Sequence, residues 1–136
     1  MPSPEAEPMP KRKILRSADA PAPVGSYSQA VRAGKLVFCS GQIPLDPRTR
    51  ELVTGGIEEQ TRRVLDNLGA VLAEAGLGYG DVVKCSVFLT DMNDFPAFDG
   101  AYTHYFGASP PARSTLGVAA LPRGARVEIE AIALVR

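Results

Sequence analysis

Near the end of the chain, apolar and polar positions alternate with a period of two. Over Arg126–Val135, the side chains of Val127, Ile129, Ala131, Ala133 and Val135 fall on one side of an extended segment. Glu128, Glu130, Ile132 and Leu134 fall on the other. Two carboxylates followed by two bulky aliphatics do not make a simple wet face. This predicts a strand whose second face is partly covered by another element or another subunit, or else is left as an exposed polar half-strand. A helical period replaces the strand period over Ile57–Ala75, where Ile57, Val64, Leu65, Leu68, Val71, Leu72 and Ala75 share one face. Glu58 and Glu59 sit in its first turn, Gly76 and Leu77 form a stop signal, and Arg62, Arg63, Asp66 and Glu74 are left for water.

The remaining elements follow from the same pattern. Ser28–Arg32 and Lys35–Ser40 flank Ala33-Gly34 and read as a β-hairpin. The second strand leaves through Ser40-Gly41-Gln42, where a glycine permits close approach of backbone to a ligand or a sharp bend. Ile14–Pro23 reads as a short strand and a proline-rich loop, and Pro44–Gly56 as a loop with a turn at Asp46-Pro47. Asp81–Thr90, apolar on both sides in places, reads as a central strand. Asp94 is placed to cap a second helix with Pro96 in its first turn; Phe98, Tyr102, Tyr105 and Phe106 form its stripe and Gly107 ends it. Pro110 and Pro111 bar further helix, so Arg113 stands where a strand begins and runs into Leu116-Gly117-Val118. Two amphipathic helices then cover one face of a sheet of five or six strands, and the uncovered aliphatic positions argue for an oligomer.

Composition narrows the function classes. The 136 residues suffice for one domain, over residues 14–136, behind a proline- and charge-rich tail over 1–13 that is expected to be disordered. The basic triplet Lys11-Arg12-Lys13 is too short for a nucleic-acid patch, and a net charge of zero favours neither nucleic acid nor an anionic membrane. No apolar run approaches the roughly 20 residues of a membrane helix, and the tail has no apolar segment of a secretory signal. Cys39 and Cys85 lie in apolar strand runs without a C-x-x-C spacing and read as reduced core thiols, which suits the cytoplasm. One histidine, His104, falls off the stripe of its helix and reads as solvated; with two scattered cysteines it makes no usual zinc site. Nucleotide-binding and nucleophile-elbow motifs are missing, so the chemistry is expected to need no metal, no bound nucleotide and no covalent nucleophile. That leaves Arg113 as the residue of interest. Its planar five-donor fork can grip a carboxylate through two parallel hydrogen bonds, although a rim salt bridge is the commoner fate of an arginine.

Four segments together sharpen this picture: Gly25-Ser26-Tyr27-Ser28-Gln29, Ser40-Gly41-Gln42-Ile43-Pro44, Pro111-Ala112-Arg113-Ser114 and Val127-Glu128-Ile129-Glu130-Ala131. In type and order they resemble the signature segments of the Rid (YjgF-like) family, the reactive enamine/imine deaminases, from about Ile14 to Arg136. The resemblance implies a chorismate-mutase-like α+β fold and a homotrimer with clefts between subunits. It also implies cofactor-free hydrolysis of 2-imino acids formed when pyridoxal phosphate enzymes dehydrate serine or threonine. Carried over, Arg113 binds the substrate carboxylate. Glu128 positions or activates the attacking water with the Gly41 carbonyl as second anchor, and Glu130 on the same face is the alternate acid. Tyr27 and Ser40 line the pocket, the backbone at Thr115 contacts substrate, and Asp99 takes the place of another pocket residue. Three positions depart from the family pattern. Ser26 replaces a frequent proline and Thr115 a frequent cysteine. Asp99 replaces a usual asparagine, and an acid there can compete with substrate for Arg113 or favour a cationic iminium.

An imine carbon is electrophilic once its nitrogen is protonated, so water attack needs orientation, a base and a charge anchor. Positioning contributes up to roughly 7–11 kcal/mol in ideal cases, and a placed carboxylate on the order of 10²–10⁴ in rate. The expected function is therefore deamination of 2-aminoacrylate and 2-iminobutyrate to 2-keto acids and ammonia. The competing expectations are a non-catalytic, carboxylate-binding regulatory trimer, a ribonuclease or translation inhibitor, and a holdase using the uncovered strand faces.

Overall fold

The alternating segment near the C-terminus is the middle of the molecule. The computed structural model describes residues 11–136, and in it this strand, β6 (Val127–Leu134), has β3 (Leu36–Gln42) on one side and β4 (Val82–Leu89) on the other. Outside β3 lie β2 (Ala30–Ala33) and then β1 (Arg12–Leu15); outside β4 lies β5 (Ala112–Gly117), giving the order β1-β2-β3-β6-β4-β5. Every pairing is antiparallel except β4–β5, which is parallel because α2 (Phe95–Phe106) carries the chain back between them. The fold is thus α+β, a six-stranded mixed sheet with α1 (Ile57–Glu74) and α2 on one face.

The core lies between the helices and the strand face carrying Val37, Cys39, Cys85, Val87, Leu89, Val127, Ile129 and Ala131, all buried. Val64, Leu65, Leu68, Val71 and Leu72 of α1 and Phe98, Tyr102 and Phe106 of α2 close over it. The opposite face has no helix. Phe38 faces across to Ile132 and Leu36 to Leu134, and Phe38 and Leu134 are 44% and 47% exposed. The mixed face read from the sequence of β6 is therefore real: Glu128 and Ile132 are half-buried, Glu130 and Leu134 exposed.

Local chemistry explains the boundaries. Gly76 (φ +74) follows α1, its N–H donating to Ala73 C=O while Leu77 N–H reaches Leu72 C=O, both at 2.9 Å, a Schellman ending with Leu77 buried beneath it. At the other end, the Glu59 carboxylate accepts from Gly56 N–H at 2.8 Å. Three expectations shift. The first strand begins at Arg12 rather than Ile14, so Arg12 and Lys13 belong to the sheet and not to the tail; the rest of the tail, residues 1–10, lies outside the described residues. The hairpin turn is Gly34-Lys35, one residue on, since Ala33 already pairs with Leu36. Asp94 does not cap α2 with its side chain; its carboxylate instead accepts Arg126 Nη2 at 2.8 Å and Nε at 3.2 Å, a fork a capping bond cannot match.

Candidate active site

The turn after β3 builds the first half of the site. Cys39 pairs with Ala131 but Gln42 pairs with Ile129, so β3 carries one residue more than β6 between these points. The extra residue is a β-bulge at Ser40-Gly41, a device that re-aims side chains and backbone. Ser40 is tied down from both ends: its N–H donates to Gln29 C=O at 2.9 Å and its hydroxyl to Ser28 C=O at 2.6 Å. Glu128, on the open face of β6, lies flat against Gly41. A methyl group there would fall 2.8 Å from Glu128 Cδ and still closer to Oε2. Only a residue without a side chain admits the carboxylate at this point.

Tyr27, Ser40, Gly41, Arg123, Glu128 and Glu130 line one cavity of 480 Å³. Tyr27, Ser40, Gly41 and Glu128 were all expected in a pocket from the sequence, and the bulge brings them together. Burial holds the Glu128 carboxyl above the ordinary carboxylate range, and the neighbouring charge of Glu130 adds to this. Glu130 lines the same cavity but stands exposed. Of the two acids, Glu128 is the one seated against the bulge and partly withdrawn from water.

The second half is built by β5 and α2. Arg113 pairs in register with Cys85, whose side chain is in the core, so Arg113 points to the helix side of the sheet. There its guanidinium sits over three rings, Tyr102 at 4.8 Å, Phe95 at 5.3 Å and Phe98 at 5.7 Å from the ring centres. Its Nη1 donates to Asp99 Oδ1 at 2.7 Å. Arg113, Asp99, Tyr102, Thr103 and Phe106 line a cavity of 370 Å³ with the turn at Gly107–Pro111. Beneath the arginine, burial and the adjacent Cys85 thiol push the Tyr102 hydroxyl pKa upward, keeping that phenol neutral. Thr115 is half-buried further along β5. Val118 N–H donates to Leu89 C=O at 2.8 Å, so the strand alternation turns the backbone of Arg113 and Thr115 away from β4, toward the free edge.

Arg113 and Glu128 do not meet within one chain. Glu128 pairs with Phe88 and Arg113 with Cys85, which lie on opposite faces of β4. Neither residue lines the other's cavity. Among the described residues, no cluster of three His, Cys, Asp or Glu side chains is disposed to hold a metal ion. No helix of the described residues is long and apolar enough to cross a membrane.

A family model described as Endoribonuclease L-PSP matches residues 17–135. The chain belongs to this family, the YjgF/Rid family. Among its relatives is the protein DfrA of Myxococcus xanthus, 54% identical over 90% of this chain and 95% of that protein. The mouse 2-iminobutanoate/2-iminopropanoate deaminase is 50% identical over 90% of this chain and 91% of its own. The Escherichia coli protein TdcF, solved with bound serine, superposes with a TM-score of 0.87 at 42% identity, covering 91% of this chain and 99% of that one. Two features of this Rid-family chain are not evident from its motifs. Two of the three rings under Arg113, Phe98 and Tyr102, belong to the stripe read from the sequence as core, whereas Phe95, a turn before Phe98 on the same face, falls outside that stripe. Arg123, brought to the first cavity by a left-handed backbone (φ 64, ψ 15), carries no local signal beyond the following glycine.

Proposed function

We propose that this protein is a 2-imino acid deaminase, hydrolysing 2-aminoacrylate- and 2-iminobutyrate-type products of amino-acid dehydration to 2-keto acids and ammonia in the cytoplasm. The observation that carries the reading is the pairing of two incomplete pockets. One holds a caged, cationic fork at a strand edge; the other holds a carboxylate of raised pKa seated on a glycine bulge. Relatives at about half identity named as 2-iminobutanoate/2-iminopropanoate deaminases support it.

Because Arg113 and Glu128 face opposite sides of the sheet, the working site forms between chains, in a homotrimer. Arg113 of one chain meets the bulge and Glu128 of the next. The open face supports this assembly: Phe38 and Leu134, 44% and 47% exposed, each stand to gain about half of the roughly 1.5–3 kcal/mol that full burial of a large side chain contributes. A small imino acid enters with its carboxylate on Arg113 and on the outward backbone N–H groups of β5. Glu128 and the Gly41 carbonyl orient a water toward the C=N carbon. Glu128 takes a proton as the water oxygen bonds to carbon, giving a carbinolamine. It then returns that proton to the nitrogen; the C–N bond breaks as the hydroxyl oxygen becomes the keto group, its proton passing back to the Glu128 carboxylate, and ammonia leaves. A carboxyl whose pKa is raised toward the working pH serves both transfers.

A ribonuclease reading, suggested by the family description, draws no support from the charge, which is zero overall. The test is coupling to a serine/threonine dehydratase and following keto-acid appearance. Arg113→Ala abolishes the acceleration with fold and assembly intact, and Glu128→Gln lowers turnover more than it weakens binding of a keto-acid analogue. Normal turnover by Arg113→Ala defeats the assignment.

A further inference from the structure

We propose that Asp99 selects the substrate class at this site, favouring 2-imino acids whose side chain carries a positive charge or an N–H donor and opposing those with a second carboxylate. The inference rests on Arg113 being the carboxylate ligand, as above. Asp99 and Arg113 share a single hydrogen bond, Oδ1 to Nη1. The acid lines the cavity and is the more open partner, its side chain 42% exposed against 23% for the arginine. Nothing else satisfies the Asp99 carboxylate among the described residues, since the Thr103 hydroxyl donates to its backbone carbonyl instead. The other residues lining the cavity, Tyr102, Thr103, Phe106, Gly107, Pro110 and Pro111, bring no charge.

The cavity therefore holds one cation and one anion. When a substrate carboxylate occupies the free edge of the Arg113 fork, the Asp99 charge is left facing whatever extends beyond it. Asp99 Oδ2 has unused lone pairs there and accepts from an ammonium, guanidinium or amide N–H. A second carboxylate meets a like charge here, and the half-site that the neighbouring chain brings adds two acids, Glu128 and Glu130, against one cation, Arg123. This is discrimination by an introduced repulsion as well as by an attraction. The alternative is that Asp99 only orients the guanidinium on its aromatic bed. A positioning role scales every substrate alike, and that difference is measurable.

Imines are generated in place by an amino-acid oxidase from 2-aminobutyrate, glutamate and arginine, and kcat/KM is compared for the wild type and Asp99→Asn. In parallel, calorimetry measures Kd for 2-oxobutyrate, 2-oxoglutarate and 2-oxo-5-guanidinovalerate. The wild type prefers the guanidino compound to the dicarboxylate by about tenfold or more in both arms, the size expected of one charge at a partly open site. Asp99→Asn, which keeps the shape, brings the two within about threefold by raising the dicarboxylate and lowering the cation. A wild-type ratio near one, or a change in Asp99→Asn that is the same for all three compounds, overturns the inference. A protein that hydrolyses none of the imines defeats the deaminase reading, while the keto-acid Kd ratios still decide the role of Asp99.

Discussion

Gly41→Ala adds one methyl group where the Glu128 carboxylate already lies. The backbone at 41 is outside the left-handed region, so alanine is admitted without φ strain, and the whole effect falls on its neighbour. With Glu128 Cδ 2.8 Å from the new carbon, the acid has to swing off the bulge. Glu128 is half-buried rather than locked in the core, so the cost to folding stays within about 1–3 kcal/mol, the range for overpacking. The cost to chemistry is larger. Losing a placed carboxylate removes on the order of 10²–10⁴ in rate, which is about 2.7–5.4 kcal/mol at 1.36 kcal/mol per decade. In the dehydratase-coupled assay, kcat falls by at least about a hundredfold. Calorimetric binding of 2-oxobutyrate changes less than about threefold, because the carboxylate grip belongs to the other half-site. The double variant Gly41→Ala/Glu128→Gln is no slower than Glu128→Gln alone, since both changes remove one function. If Gly41→Ala keeps turnover within about fivefold of the wild type while remaining folded, the water-handling role of Glu128 is wrong.

Two further predictions follow from neighbouring side chains. Part of the upward shift at Glu128 comes from Glu130, second to burial. A base of raised pKa loses its working form early as pH falls. Glu130→Gln lowers the Glu128 pKa and extends the acid limb of kcat/KM to lower pH; a limb that stays put or moves upward refutes the coupling. Gln29, fully buried, accepts from Ser17 N–H at 2.6 Å and donates to Pro21 C=O at 2.9 Å, pinning the loop that leads to Tyr27. Gln29→Ala leaves the buried Ser17 N–H without a partner and costs about 2–4 kcal/mol by urea denaturation, and a loss under about 0.5 kcal/mol shows that the loop is held by other means.

The alternation in β6 and the helical stripe of α1 are written in side-chain pattern, and both elements appear at the expected places. The hairpin strand read from Ser28 instead begins at Ala30, because the Gln29 side chain is held by the Ser17–Pro21 loop and not by the sheet. What the chain does not spell out is which residues share a face across strands. That Arg113 looks toward α2 while Glu128 looks away depends on the β4–β5 and β4–β6 registers, and these are set by the length of the α2 crossover and by bulges. The same holds for Asp94. Its position before a proline is right for a cap, but Arg126 arrives from 32 residues away and offers a better partner. The bed of rings beneath Arg113 illustrates the reverse case: the stripe was visible, and only the neighbouring strand reveals what rests on it.

The back-to-back placement of Arg113 and Glu128 has a genetic consequence. On the proposed assembly, every polypeptide lends its fork to one neighbour and its acid to the other, and no subunit serves itself. A subunit broken at the fork still owns a sound acid, and one broken at the acid still owns a sound fork. Co-expressed, two dead alleles can rebuild a living cleft wherever their sound edges adjoin.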